Sequence, residues 1–278
     1  MSEDSRARIT VFSDYVCPFC YLEEPDLVCV RGEYGDEVEV DWRAYELRPH
    51  PIPTLDPDGE YLHRVWNASV YPMSRSLGMT LRLPPVQPRS RKAHEAAGYA
   101  REEGRFEEMH TALFKAFFED GKDIGEEEVL LEIGATAGLD REGLRAALRE
   151  DRYTREVIAD EELSRRLGVA SVPTMFVGLA GEPLEEGEAI SGTQHYGGRL
   201  ESAVERALSR APRGSRRERG RRTWWCDPVT YAGSHQMLGE NSVSCRIWGT
   251  VTVASPWRCR VEEDRYKISV RRAERQRW

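Results

Sequence analysis

The sequence predicts a mixed α/β fold interrupted by a long all-helical stretch and followed by a tail of different make-up. Three observations carry this. Strand-like segments flank the helical stretch, in the order strand, helix, strand before it and strand, strand, helix after it. A C-x-x-C pair, Cys17 and Cys20, falls where the first strand gives way to the first helix. The charge balance reverses near Pro212.

The chain has 278 residues, 40% of them apolar, enough to bury a core of domain size. No long apolar run suggests a membrane span, and no membrane partner is expected. "MSEDSRARITVF" lacks the apolar centre of a secretory signal, so a cytoplasmic location is expected. The first 212 residues hold 25 Lys plus Arg against 41 Asp plus Glu, a balance of −16, with only three lysines (Lys92, Lys115 and Lys122). Such a surface suits a salt-rich cytoplasm, although a codon bias towards arginine would give the same composition. It argues against nucleic acid as a partner of residues 1–212.

Taken in order, "RITVFSD" (8–14) reads as a short buried strand on Ile9, Val11 and Phe12. "CPFCYLEEPDLVCVRGEYG" carries a broken helical stripe of Cys20, Leu22, Leu27, Val28 and Val30, which Pro25 is expected to kink or restart. "EVEVDWRAYEL" (37–47) alternates, with Val38, Val40, Trp42 and Ala44 on one face. Helices are expected over 61–79, 89–103, 105–119, 125–138, 140–150 and 152–167, with Gly78, Gly104, Gly121, Gly138 and Gly168 at their ends. "SVPTMFVG" (171–178) and "AISG" (189–192) read as strands, and 198–210 as an amphipathic helix on Leu200, Val204 and Leu208. The organisation is therefore 1–56 (β-α-β), 57–168 (helical insertion), 169–212 (β-β-α) and 213–278 (tail).

The cysteine pair points to thiol chemistry. A thiolate at a helix start is stabilised by unsatisfied backbone N–H groups and the helix dipole. Cys17 is placed for that, and Cys20 follows one turn later on the same side, able to close a disulfide. Pro18 is tolerated in a first helical turn. Zinc needs more ligands than these two sulfurs, and the first 212 residues hold neither a second C-x-x-C nor paired histidines at ligand spacing. No metal is expected there. A structural disulfide does not suit a reducing cytoplasm.

"SDYVCPFCY", the Trp-containing strand with "LRP" after it, "GVASVPTMFV" and "ISGTQ" together resemble the DsbA-like thioredoxin superfamily over about residues 8–210. They resemble most its FrnE-type branch, which is related to 2-hydroxychromene-2-carboxylate isomerases and kappa-class glutathione transferases. The resemblance implies a thioredoxin-like fold with a large helical insertion. It also implies Cys17 as nucleophile, Cys20 as resolving thiol and Pro173 as a cis proline facing them. The backbone beside Val172 would then offer strand-like hydrogen bonds to substrate. Pro18 and Phe19, between the cysteines, would meet substrate and tune the potential. The implied activity is to reduce, form or isomerise disulfides in a protein or small-thiol substrate. The redox-active pair would need no other cofactor, with glutathione as a candidate co-substrate. Two alternatives stand: a glutathione-dependent isomerase or transferase on the same fold, and a non-catalytic chaperone or binding module.

Around this pair, Asp14 is a candidate for proton transfer or for a helix cap, and Gln194 and His195 are candidates for the site rim. Cys29 reads as a buried small hydrophobe. His94 and His110 read as surface or helix-packing residues, and Tyr21 and Trp66 as core residues or as the lining of an apolar groove.

The tail carries 15 Lys plus Arg, 7 Asp plus Glu, five of the seven tryptophans and three of the six cysteines. "RIWGTVTVA" (246–254) is a candidate strand. Cys226, His235, Cys245 and Cys259 are candidate zinc ligands, although their separations match no standard spacing, and the arginine run could meet nucleic acid or an acidic surface. The segment is expected to be disordered or loosely structured, and an out-of-frame extension would explain its composition. Limited proteolysis with intact-mass analysis should remove it and leave the first 212 residues; a protease-resistant tail at full mass would refute this.

Overall fold

Residues 8–14 do form the organising strand, because their apolar side chains are buried on both faces. In the computed structural model, which describes residues 6–193 and 198–211 and the backbone of two further strands, β1 (Ala7–Ser13) has Ile9, Val11 and Phe12 fully buried. A strand covered on both sides reads as a continuous apolar run rather than an alternating one. β2 (Val38–Ala44) lies parallel to β1, with Val11 opposite Trp42 and Ser13 opposite Ala44. β3 (Thr174–Leu179) lies antiparallel on the other side of β1, and β4 (Glu188–Ser191) pairs antiparallel with β3. The sheet order is β2-β1-β3-β4.

α1 (Pro18–Tyr34) joins β1 to β2. It runs unbroken through Pro25, which corrects the expected restart. Proline lacks only its own N–H, so the ladder loses a single bond while the buried face of the helix continues. On one face of the sheet, Ile9, Val11 and Met175 pack with Leu27 and Val30 of α1 and with Val204 of α9 (Arg199–Arg210).

The helical stretch follows the predicted order. α2 (Glu60–Val65), a π turn (Trp66–Val70) and α3 (Tyr71–Ser76) form one continuous run. Then come α4 (Arg91–Glu102), α5 (Phe106–Phe118), α6 (Glu127–Thr136), α7 (Arg141–Arg149) and α8 (Thr154–Arg166). Gly138 and Gly168, just past α6 and α8, take φ of 82° and 71°, the left-handed conformation that ends a helix cheaply only at glycine. These helices share a core with the cysteine end of the sheet. Phe12, Tyr15, Cys17, Cys20 and Tyr21 pack in one cluster with Trp66, Leu113 and Phe114. Tyr21 stacks on Phe114 and Phe118, with ring centroids 5.1 and 5.9 Å apart.

A separate unit, Ser234–Trp278, contains β5 (Trp257–Glu262) and β6 (Lys267–Arg272), paired antiparallel with Cys259 opposite Val270. "WRCRVE" and "KISVRR" each alternate apolar and polar residues, the period of a strand. The candidate strand at 246–254, Cys226, His235, Cys245, and the remaining tail lie outside the described residues. Among the described residues, no helix is long and apolar enough to cross a membrane.

Phe114→Ala should destabilise the protein by about 3–5 kcal/mol, the cost of emptying a fully buried aromatic site. Denaturant unfolding of the variant beside the parent measures it.

Candidate active site

β1 ends at Ser13, and three residues turn the chain into α1. The Cys17 N–H donates to the Asp14 carbonyl at 3.0 Å, closing that turn. Cys17 is the N-cap in extended conformation, and its own carbonyl accepts from the Cys20 and Tyr21 N–H groups at 3.1 and 3.4 Å. Pro18 occupies the first helical position, where its missing N–H costs nothing. No acidic side chain occupies the first turn of α1. Phe19 is half-buried against the helical core.

The Cys17 side chain does not cap its helix. Its thiol points across to the Val172 carbonyl, 3.5 Å away. The Val172–Pro173 bond is cis, and β3 begins at the next residue. Strand β3 is antiparallel to β1, which brings Pro173, more than 150 positions along the chain, back to the helix start. Cys17 is 4% exposed and Cys20 is 1% exposed; both are free thiols.

Cys20 sits beneath Cys17. Its sulfur accepts the Asp14 N–H at 3.5 Å. Burial pushes the Cys20 thiol well above its ordinary pKa, and the neighbouring Cys17 adds to this; Ser13 and the Asp14 N–H offset part of it. The two sulfurs are thus unequal: one at the helix mouth, one held as a neutral thiol inside.

Asp14 is fully buried. It does not cap α1. One carboxylate oxygen accepts from the Val16 N–H at 3.3 Å, the other from the Leu47 N–H at 2.7 Å. This ties the chain after β2 to the end of β1. His94 Nε2 stands 3.5 Å from the same carboxylate.

A second buried polar chain lies alongside. The Tyr15 hydroxyl and His110 Nδ1 are 3.0 Å apart, and His110 Nε2 lies 3.1 Å from the Glu24 carboxylate. With Nε2 donating to Glu24, Nδ1 is left to accept the Tyr15 proton, the tautomer this network requires. Burial raises the Tyr15 pKa, which keeps the phenol a donor. The Tyr15 ring lies between His94 and His110, with centroids 4.9 and 5.4 Å away.

The structure therefore brings Cys17, Cys20, Val172 and Pro173 together, with Pro18, Phe19 and Asp14 around them. Gln194 and His195 lie outside the described residues. Cys29 is half-buried rather than buried, because its turn of α1 has Val28 exposed beside it. His94 and His110, read from sequence as surface or helix-packing residues, are buried against Tyr15. Ser13, Tyr15 and the two histidines were not singled out for the site. The legible signal was local: a serine and a tyrosine flanking Asp14 at the end of an otherwise apolar strand. No local signal marks the histidines, which arrive from α4 and α5. Tyr21 and Trp66 are core residues, as expected. Among the described residues, no group of His, Cys, Asp and Glu could hold a metal ion.

Comparison with known proteins meets this geometry. The chain is 32% identical over 177 residues to the uncharacterised protein YwbO of Bacillus subtilis, covering 62% of this chain and 86% of that one. Its fold is similar to a probable DsbA oxidoreductase of Streptomyces coelicolor, with TM-score 0.62 and 24% identity over 74% of this chain and 92% of the other. It is also similar in fold to a 2-hydroxychromene-2-carboxylate isomerase, with TM-score 0.58 and 19% identity over 72% of this chain and 95% of that one. The model of the DSBA-like thioredoxin domain matches residues 8–198, which run from β1 through the cysteine pair and Pro173 to the start of α9. The chain belongs to the DSBA-like thioredoxin domain family.

Proposed function

We propose that the protein is a thiol–disulfide oxidoreductase in which Cys17 is the nucleophile and Cys20 the resolving thiol. One observation carries the reading: the Cys17 sulfur lies at the Val172 carbonyl while Cys20 waits behind it, hydrogen-bonded and protonated. Attack on a substrate disulfide needs a thiolate at the surface of the site. Resolution needs a second sulfur within bonding range that does not compete for the first attack. A neutral, buried Cys20 meets the second condition.

In the reducing direction, Cys17 attacks a substrate disulfide and forms a mixed disulfide. Cys20 then attacks Cys17, and the substrate leaves as a thiol. A thiol reductant, glutathione among the candidates, returns the pair to the dithiol. Run backwards, the same steps oxidise a substrate dithiol, and release before resolution isomerises one. The carbonyl of Val172 and the cis bond after it face the incoming chain, with Phe19 at the apolar side. Asp14 holds the turn that carries both sulfurs. The retained pair favours this chemistry over glutathione transfer, which one sulfur could serve.

Cys17→Ser should abolish insulin reduction, and Cys20→Ser should accumulate mixed disulfides visible by intact mass; insulin turnover surviving Cys17→Ser rejects the assignment. A pH dependence follows from the buried thiol. The folded dithiol keeps the Cys20 proton where the unfolded chain loses it. Its stability is therefore intact below an ordinary thiol pKa of 9.0 and declines as pH rises above it. The disulfide form has no such term. Denaturant titrations of both forms through the alkaline range should show the gap between them shift against the dithiol.

A further inference from the structure

An exposed leucine by itself calls for no explanation, because much of any protein surface is apolar. Leu47 differs in how its backbone is held. It belongs to the loop that follows β2 and is 37% exposed. Consecutive residues of that loop are each tied through the main chain to a side chain from another part of the fold. The Glu46 N–H donates to the Glu161 carboxylate of α8 at 2.9 Å, and the Leu47 N–H donates to the Asp14 carboxylate at 2.7 Å. The Arg48 carbonyl accepts from the Arg89 guanidinium at 2.8 Å. The main chain is thus fixed before, at and after a side chain that is left in solvent.

Asp14 also places this leucine beside the cysteine pair. Its other carboxylate oxygen accepts the Val16 N–H at 3.3 Å, so Val16 and Leu47 meet one carboxylate from two loops. Cys17 follows Val16 directly, and its N–H donates to the Asp14 carbonyl at 3.0 Å. Val16, Pro18 and Phe19 are half-buried, and Cys17 among them is 4% exposed. The approach to the sulfur is therefore bordered by Val16, Pro18 and Phe19 from the helix start and by Leu47 from the loop. None of these carries a charge, in a chain of which 32% of residues do.

We propose that Leu47 is a specificity-determining residue: its exposed side chain packs against an apolar residue next to the reacting cysteine of a polypeptide substrate. The inference rests on the thiol–disulfide reading above. A substrate cysteine at the Cys17 sulfur brings its chain neighbours close to Val16 and Leu47, since an extended residue spans only about 3.3–3.6 Å. An apolar neighbour there covers the leucine and takes both surfaces out of water. A serine in its place leaves the leucine wet. The tied loop favours the contact, because the leucine's backbone is ordered before substrate arrives. A small hydrophilic disulfide has no group that reaches Leu47 and gains nothing from it.

The test uses the full-length reduced protein and three disulfides: two peptides closed by the same disulfide, with either leucine or serine next to each cysteine, and hydroxyethyl disulfide. Acid quenching, alkylation and intact mass follow the loss of the dithiol in a single turnover. Each rate is taken relative to that of dithiothreitol with the same disulfide, and reaction that persists in Cys17→Ser is subtracted. The parent should favour the leucine peptide over the serine peptide by about tenfold, as for roughly two buried methylene groups. Leu47→Ser, which keeps the main-chain N–H that holds Asp14, should bring that ratio close to one. Leu47→Met, apolar and of similar size, should retain it. A parent without preference between the peptides, or a preference that survives Leu47→Ser, overturns the assignment. An equal fall with all three disulfides in Leu47→Ser overturns it too, since that marks a disturbed turn and not lost recognition. Dithiol loss at the parent rate in Cys17→Ser removes the thiol–disulfide reading itself, and the role of Leu47 with it.

Discussion

One turn of helix separates two sulfurs and gives them opposite environments; the rest of the site is arranged around that difference. Cys17 is the N-cap, with its thiol directed at the Val172 carbonyl. Cys20 is inside the core, receiving the Asp14 N–H and held in its neutral form. A pair with two equal thiols would offer two sites of attack and two mixed disulfides. The raised pKa of Cys20 removes that ambiguity, because desolvation penalises the anion and not the thiol. The same burial makes the second half of any reductive cycle slow unless the proton has somewhere to go. Nucleophile choice and proton disposal are therefore one constraint.

The helical stretch supplies the walls of that arrangement. Its aromatic residues share a core with β1 and α1, so the turn carrying the sulfurs is clamped from both sides. Tyr21, one residue past Cys20, stacks on Phe114 of α5. Tyr15, two residues before Cys17, reaches His110 of the same helix, which continues to Glu24 of α1. An α1–α5 contact thus fixes both ends of the C-x-x-C turn. Buried polar chains of this kind are costly when half satisfied, and here each member has its partner. A loop in the place of α5 could close the volume but could not hold the turn with the same precision.

Much of this was legible in the sequence. The strand at 8–14, the alternation at 37–47 and the glycine-ended helices all follow from local periodicity, and each is present within a few residues of its expected place. The juxtaposition of Cys17 with Val172 and Pro173 was implied only by resemblance, because nothing local links positions 17 and 173. The illegible parts are of two kinds. Pro25 was read through its local effect, and the continuous burial of α1 outweighed it. His94, His110 and Trp42 looked like core or surface residues, since a histidine on an apolar helix face carries no mark of what it meets. Their meeting at Tyr15 is a property of the packing of α4 and α5 on β1 and β2, and no spacing along the chain encodes it.

Asp14 illustrates why an acid beside a cysteine pair is not by position its base. Its carboxylate is fully buried, yet each oxygen already accepts a backbone N–H, from Val16 and from Leu47. Two such bonds fix its direction. The Leu47 bond ties the end of β1 to the chain that follows β2. The contact between Asp14 and the Cys20 sulfur is made through the Asp14 main-chain N–H. In this turn, the carboxylate holds the geometry.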